Sequence, residues 1–125
     1  MIIADTSVWI DFFKLNSPVN EIMEEQLEMG NILALECIFG ELLQGVKTTE
    51  EKKIIVSYWN NLPKYNPYEL FIKAGSYSSE NKLVSKGVGL IDAAILICGI
   101  ETKSKIWTFD KKLLGVLDDK YIYEC

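Results

Sequence analysis

Met1-Ile2-Ile3-Ala4-Asp5-Thr6-Ser7-Val8-Trp9-Ile10 opens the chain, and the reading of this stretch decides the fold. Four apolar residues without alternation suit a short strand buried on both faces, the kind found in parallel sheets, better than a half-exposed one. Asp5-Thr6-Ser7 then reads as a helix start, with Trp9, Ile10, Phe12 and Phe13 supplying the apolar face of that helix.

The alternation continues along the chain. Asn16-Ser17-Pro18 ends the first helix, and Glu21 to Met29 predicts a second, with Ile22, Met23 and Leu27 inward and Gly30 closing it. Ile32 to Leu35 predicts a strand and Ile38 to Val46 a helix. Thr48-Thr49-Glu50-Glu51 opens a helix that runs to about Asn61, where Leu62-Pro63 stops it. Tyr65 falls in a short strand before Pro67, and Tyr68 to Ser85 carries helical spacing. Lys86-Gly87-Val88-Gly89 is a break before a strongly apolar helix, Leu90 to Glu101. Lys105 to Phe109 predicts a strand, Lys111 to Leu117 a last helical turn or two, and Tyr121 to Tyr123 a terminal strand. Strands alternating with helices imply an α/β fold with a mainly parallel central sheet.

A chain of 125 residues, 49% hydrophobic and 25% charged, is expected to form a single globular domain over residues 1–125. The N-terminus lacks the basic region of a secretory signal. The longest apolar run, Val88 to Ile100, is broken by Asp92 and is too short to span a membrane. A soluble cytoplasmic protein is expected. Cys37, Cys98 and Cys125 show no C-x-x-C spacing and have no histidine to join them in a zinc site, which leaves them as buried or terminal thiols. The net charge of −5 argues against a basic patch as the main source of nucleic-acid affinity. A cation bound at an acidic site would reverse the local sign.

Four acids sit where an apolar chain has least reason to place a charge. Asp5 ends the first strand, Glu41 and Asp92 interrupt apolar helices, and Asp110 follows Ile106-Trp107-Thr108-Phe109. In a parallel sheet functional groups gather beyond the carboxyl ends of the strands, so the fold itself would bring Asp5 and Asp110 to one edge. Each acid also has a plainer reading. Asp5 and Asp110 suit N-caps, Glu41 near Gly45 suits solvent, and Asp92 suits the first turn of its helix. Spacing alone does not make the four converge. If they do, their mutual repulsion is the kind that hard divalent cations with oxygen ligands offset, and metal-assisted hydrolysis of a phosphodiester by an activated water is the chemistry that follows. A histidine general base is impossible, because the sequence contains none.

Four segments in order resemble one family: Ile3-Ala4-Asp5-Thr6-Ser7-Val8-Trp9-Ile10-Asp11, Glu41-Leu42-Leu43-Gln44-Gly45, Leu90-Ile91-Asp92-Ala93-Ala94-Ile95 and Thr108-Phe109-Asp110-Lys111-Lys112-Leu113. Together they resemble a PIN domain, most closely a VapC-type ribonuclease toxin. The resemblance implies a three-layer α/β/α sandwich and a Mg²⁺- or Mn²⁺-dependent endoribonuclease whose metal-binding, catalytic acids match Asp5, Glu41, Asp92 and Asp110. It also implies an RNA substrate and a cognate antitoxin protein, and a homodimer is expected. The chain departs from the family at Phe109, where arginine is common, and at Gly89-Leu90-Ile91, where threonine often precedes the third acid. Neither departure removes a carboxylate.

Around these acids, Ser7 and Thr108 are placed to orient Asp5 or Asp110 by hydrogen bonds, although Thr6 and Thr108 read equally well as ordinary strand-end residues. Lys111 and Lys112 are the candidates for contact with substrate phosphate. Trp9, Phe12, Phe13 and Trp59 admit a reading as stacking platforms for single-stranded RNA as well as a core reading. The helices around Trp9, Phe12, Phe13, Ile22 and Leu27 are the expected groove for an amphipathic partner segment. Two other functions fit the same residues: an RNA-processing nuclease without a toxin role, and a catalytically silent binding module. A phospho-acceptor receiver domain is disfavoured, because consecutive acids do not follow the first strand.

Overall fold

The opening stretch does what its pattern requires. In the computed structural model, which describes residues 1–14 and 17–124, Ile2–Ala4 forms strand β1 and Thr6–Phe12 forms helix α1, with Asp5 as the N-cap between them. Consecutive residues of a strand point to opposite faces. Ile2, Ile3 and Ala4 are all buried, so β1 is covered on both faces, as a central parallel strand should be.

β1 pairs in parallel with β2, Lys105–Trp107, in a register that sets Ile3 against Ile106 and Ala4 against Trp107. Parallel bridges extend the sheet on both sides. Ile2 meets Ile32, Ala34 meets Lys64, and Ile106 meets Ile122. The spatial order therefore runs from Lys64 through Ala34, β1 and β2 to Ile122, with the first strand at the centre. The order reverses between β1 and β2, and the crevice beyond the carboxyl ends of those two strands is the switch point where α/β folds place their sites.

Only β1 and β2 are full strands among the described residues. The segments expected at Ile32–Leu35 and Tyr121–Tyr123 pair through isolated bridges, and the one expected at Tyr65 does so at Lys64 instead. Leu35 has already turned to cap α3, and Asp119–Tyr121 is a 3₁₀ turn. β2 also ends two residues early, at Trp107, because the Thr108 and Phe109 groups bond across to the first turn instead.

The remaining helices are α2 (Pro18–Glu28), α3 (Glu36–Gln44), α4 (Thr49–Asn61), α5 (Leu70–Glu80), α6 (Leu90–Thr102) and α7 (Lys111–Leu114). α2 begins three residues earlier than the apolar pattern predicts. Pro18 occupies its first turn and Ser17 forms a capping box with Asn20, so the proline starts the helix rather than merely ending the one before. Asn16, the first residue of that expected break, lies outside the described residues. α4 matches expectation, with the Thr48 hydroxyl accepting from the Glu51 N–H. The helix expected over Tyr68 to Ser85 is shorter: α5 ends at Glu80, and a 3₁₀ turn, Val84–Lys86, leads into Gly87.

The core gathers α1, α3 and α6 on the sheet. Trp9, fully buried, stands 5.2 Å edge-on from Phe39 and 5.8 Å from Phe13, and Trp59 lies 5.5 Å from Phe39. Those aromatics are structural, and Trp9 and Phe12 are closed to any base. The Cys98 thiol is buried and Cys37 is half-buried. Burial is the main cause that pushes them up to about 12 and about 11, so both are inert thiols at neutral pH. Cys125 lies outside the described residues.

Candidate active site

The turn after β1 and the turn after β2 are tied together side chain to side chain. The Asp5 N–H donates to the Trp107 carbonyl at 2.9 Å, which fixes the ends of both strands. Asp5, buried, accepts at Oδ1 from the Ser7 hydroxyl (2.5 Å) and the Val8 N–H (3.1 Å), and at Oδ2 from the Thr108 hydroxyl. Thr108 Oγ1 in turn accepts from the Asp110 N–H at 3.0 Å, and Ser7 Oγ accepts from the Phe109 N–H at 3.3 Å. Ser7 and Thr108 thus hold the positions foreseen for them, and Asp5 is both an N-cap and the centre of a network.

Glu41 comes from the middle of α3. Its Oε1 accepts from the Thr6 hydroxyl at 2.7 Å, a bond across thirty-five positions of chain. Glu41 therefore turns toward the strand ends rather than simply toward solvent. The contact enlists Thr6, a residue for which the sequence offered only a generic strand-end role; its place next to Asp5 was the available signal.

Asp92 stands in the first turn of α6, two residues after the Leu90 that begins it. Burial pushes its carboxyl up to about 6, and the charges of Asp110, Asp5 and Glu41 push in the same direction, with nothing nearby offsetting them. The four acids singled out from the sequence therefore act on one another in space. Asp110 caps α7, its Oδ1 accepting from the Lys112 N–H (2.8 Å) and the Leu113 N–H (3.4 Å), and is otherwise exposed. The cap reading of Asp110 is what these bonds show.

Lys111 and Lys112 are exposed beside Asp110, and neither pairs with an acid: among the described residues the one salt bridge is Lys73 to Glu101 at 3.2 Å. Lys112 runs its aliphatic stem along Gly87, where a Cβ would meet Cδ at 2.8 Å, so the lysine lies over the loop that leads into α6. An apolar groove of about 380 Å³ borders Glu41, lined by Ile10, Phe13, Leu42, Val46, Ile54 and Ile55 with Glu51. This corrects the expected groove. Trp9 and Phe12 are core, Phe13 alone is shared, and Ile22 and Leu27 pack on the core from α2.

In these side-chain positions, among the described residues, no three acidic or thiol groups already form a cluster able to hold an ion. The donor set itself is all oxygen, with carboxylates from four elements and three neighbouring hydroxyls. Such a set suits a hard divalent cation, and Asp92 in particular lacks a cation to offset its charge. The chemistry of these residues fits a hard divalent cation, with Asp5 and Glu41 held by hydrogen bonds and Asp110 exposed. No helix among the described residues is long and apolar enough to cross a membrane.

Comparison with known proteins agrees with the fold. No curated protein matches the sequence. Among solved structures, the chain is similar to the crystal structure of FitAcB from Neisseria gonorrhoeae, with a TM-score of 0.62 and 12% identity over 92% of this chain and 91% of that one. The model of the PIN domain matches residues 2–117, and the chain belongs to the PIN-domain family.

Proposed function

We propose that this protein is a metal-dependent endoribonuclease that hydrolyses RNA phosphodiester bonds, and that it acts as the toxin of a toxin–antitoxin pair. The observation that carries the reading is the hydrogen-bond network that holds Asp5 and Glu41 at the strand ends through Ser7, Thr108 and Thr6, with the Asp92 carboxyl raised by burial and then by the charges of Asp110, Asp5 and Glu41. Asp5, Glu41, Asp92 and Asp110 would hold Mg²⁺ or Mn²⁺. When bound, the ion supplies an activated water, a grip on the phosphate and stabilisation of the leaving oxygen.

The chain's own residues do the positioning. Ser7, the Val8 N–H and Thr108 fix Asp5, and Thr6 fixes Glu41, so two carboxylates are held before any ligand arrives. Such oriented ligands spare the site the cost of ordering them during binding. Asp92, without a protein donor, and the second oxygen of Asp110 remain to adapt. Lys111 and Lys112 supply the positive charge that substrate phosphate needs at an acidic site.

The groove beside Glu41 supports a protein partner. Its apolar lining takes one face of an amphipathic helix, and Glu41 and Glu51 favour a basic side chain on that helix. Arginine fits best, since its fork matches a carboxylate and this chain has none of its own. A second copy of the chain is a further expected partner.

Cleavage of single-stranded RNA by pure protein tests the enzyme reading: activity is expected with Mg²⁺ or Mn²⁺ and none in EDTA. Full cleavage in EDTA would overturn the mechanism. Expression of the isolated chain should arrest growth, and co-expression of its partner should restore it. Intact growth and RNA with soluble, metal-loaded protein would favour a processing nuclease or a silent binding module instead.

A further inference from the structure

Phe109 is an aromatic residue that the core leaves out beside Asp110. Ile106, Trp107 and Thr108 before it are buried, at 1%, 2% and 6% exposure, whereas Phe109 is 49% exposed. Among the described residues its ring contacts no other aromatic ring and joins no apolar cluster. Its backbone is nevertheless fixed on both sides. The Thr108 hydroxyl is bonded to Asp5, the Phe109 N–H to Ser7, and the Asp110 N–H back to Thr108. An exposed phenyl ring on a pinned backbone, one residue from Asp110 and one from the threonine that holds Asp5, is preorganised surface rather than a loose tail.

We propose that Phe109 is a stacking platform for one unpaired base of the RNA, next to the phosphate that the acids address. The inference rests on the ribonuclease reading and narrows its substrate to single-stranded segments. The surroundings favour a nucleotide over a purely apolar partner. Lys111 and Lys112 follow Asp110, are exposed and make no salt bridge among the described residues, and the Lys112 side chain lies against Gly87, so cations stand close in the chain to the ring for a phosphate backbone to meet. A base stacked on an aromatic ring adds binding without regard to sequence, because every base has a π-face. A base locked in a duplex offers no such face.

The test is an affinity measurement in Ca²⁺, by anisotropy of a labelled single-stranded 12-mer RNA, on wild type, Phe109→Ala, Phe109→Leu and Phe109→Trp. Phe109→Ala and Phe109→Leu should bind about tenfold more weakly, and Phe109→Trp at least as tightly as wild type. Moving a single abasic residue along the RNA should cost wild type about tenfold at one position, and that penalty should vanish in Phe109→Ala. Unchanged affinity in Phe109→Ala, wild-type affinity in Phe109→Leu, or a persisting abasic penalty would overturn the platform while leaving the nuclease reading in place. Phe109→Ala that keeps RNA affinity and loses a co-expressed protein partner would make the ring a protein contact, which also overturns it. Failure of wild type to bind any RNA would remove both readings.

Discussion

Asp92 is where the cost of gathering four acids is concentrated. Its carboxyl is raised from 3.8 to about 6 by burial and then by three like charges. Between those values the folded chain binds more protons than the unfolded one, so stability falls as pH rises through that window and the penalty is complete above it. Asp92→Asn removes the charge with almost no change of shape. In EDTA at about pH 7.5 the variant should be more stable than wild type by about 1 kcal/mol, less than the full shift implies because the residue is part-exposed. At about pH 2.5, where the acid is protonated in both states, the difference should disappear. Denaturant titrations at both pH values check this, and an unchanged difference would remove the like-charge account. The same variant should lose nearly all cleavage, giving a residue that harms the fold and serves the reaction. Thr6 makes the complementary case. Thr6→Val should leave the fold intact and reduce metal-dependent cleavage by about 10- to 100-fold through a loosened Glu41, whereas Thr6→Ser should retain activity; equal activity in both would make the Thr6 bond incidental.

At the scale of elements, the site depends on how closely α6 approaches β2. Gly99 permits that approach: a Cβ there would lie 2.8 Å from Ile106 Cδ1 and 3.1 Å from Cγ1. Gly99→Ala should therefore cost about 1–3 kcal/mol, and Ile106→Val in the same chain should recover part of the loss. Thermal melts of the single and double variants measure this; additive losses would show that the two residues do not meet. Strands, helices and their order were legible in the sequence because the period changes from continuous apolar runs to helical spacing. Boundaries were less so. Pro18 has two meanings, stop and start, and periodicity does not separate them. The groove lining was hard to read for a related reason: Trp9 and Phe12 look no different in sequence from their apolar neighbours Ile10 and Phe13. Only packing against Phe39 and Tyr58 shows which side is inside. The four acids were legible because each breaks an apolar context. The shared edge of Asp5 and Asp110 was legible from strand order, whereas the turn of Glu41 toward Thr6 was not, since it depends on how α3 packs on the sheet.

At the scale of the molecule, a net charge of −5 is compatible with the proposed ribonuclease activity if much of it is held in one place and offset by an ion. A ligand that binds only the folded form adds about 2.7 kcal/mol at a hundredfold excess over its Kd. Mn²⁺ should accordingly raise the melting temperature of wild type, and the rise should shrink in Glu41→Gln; equal rises would place the ion elsewhere. The central claim is that carboxylates from four elements form one metal site, and calorimetric titration of Mn²⁺ tests it most directly. Asp5→Asn, Glu41→Gln, Asp92→Asn and Asp110→Asn should each weaken binding about tenfold or more, while Glu101→Gln, an acid paired with Tyr65 and Lys73 elsewhere on the fold, should bind as wild type does. Wild-type affinity in all four site variants would contradict the account.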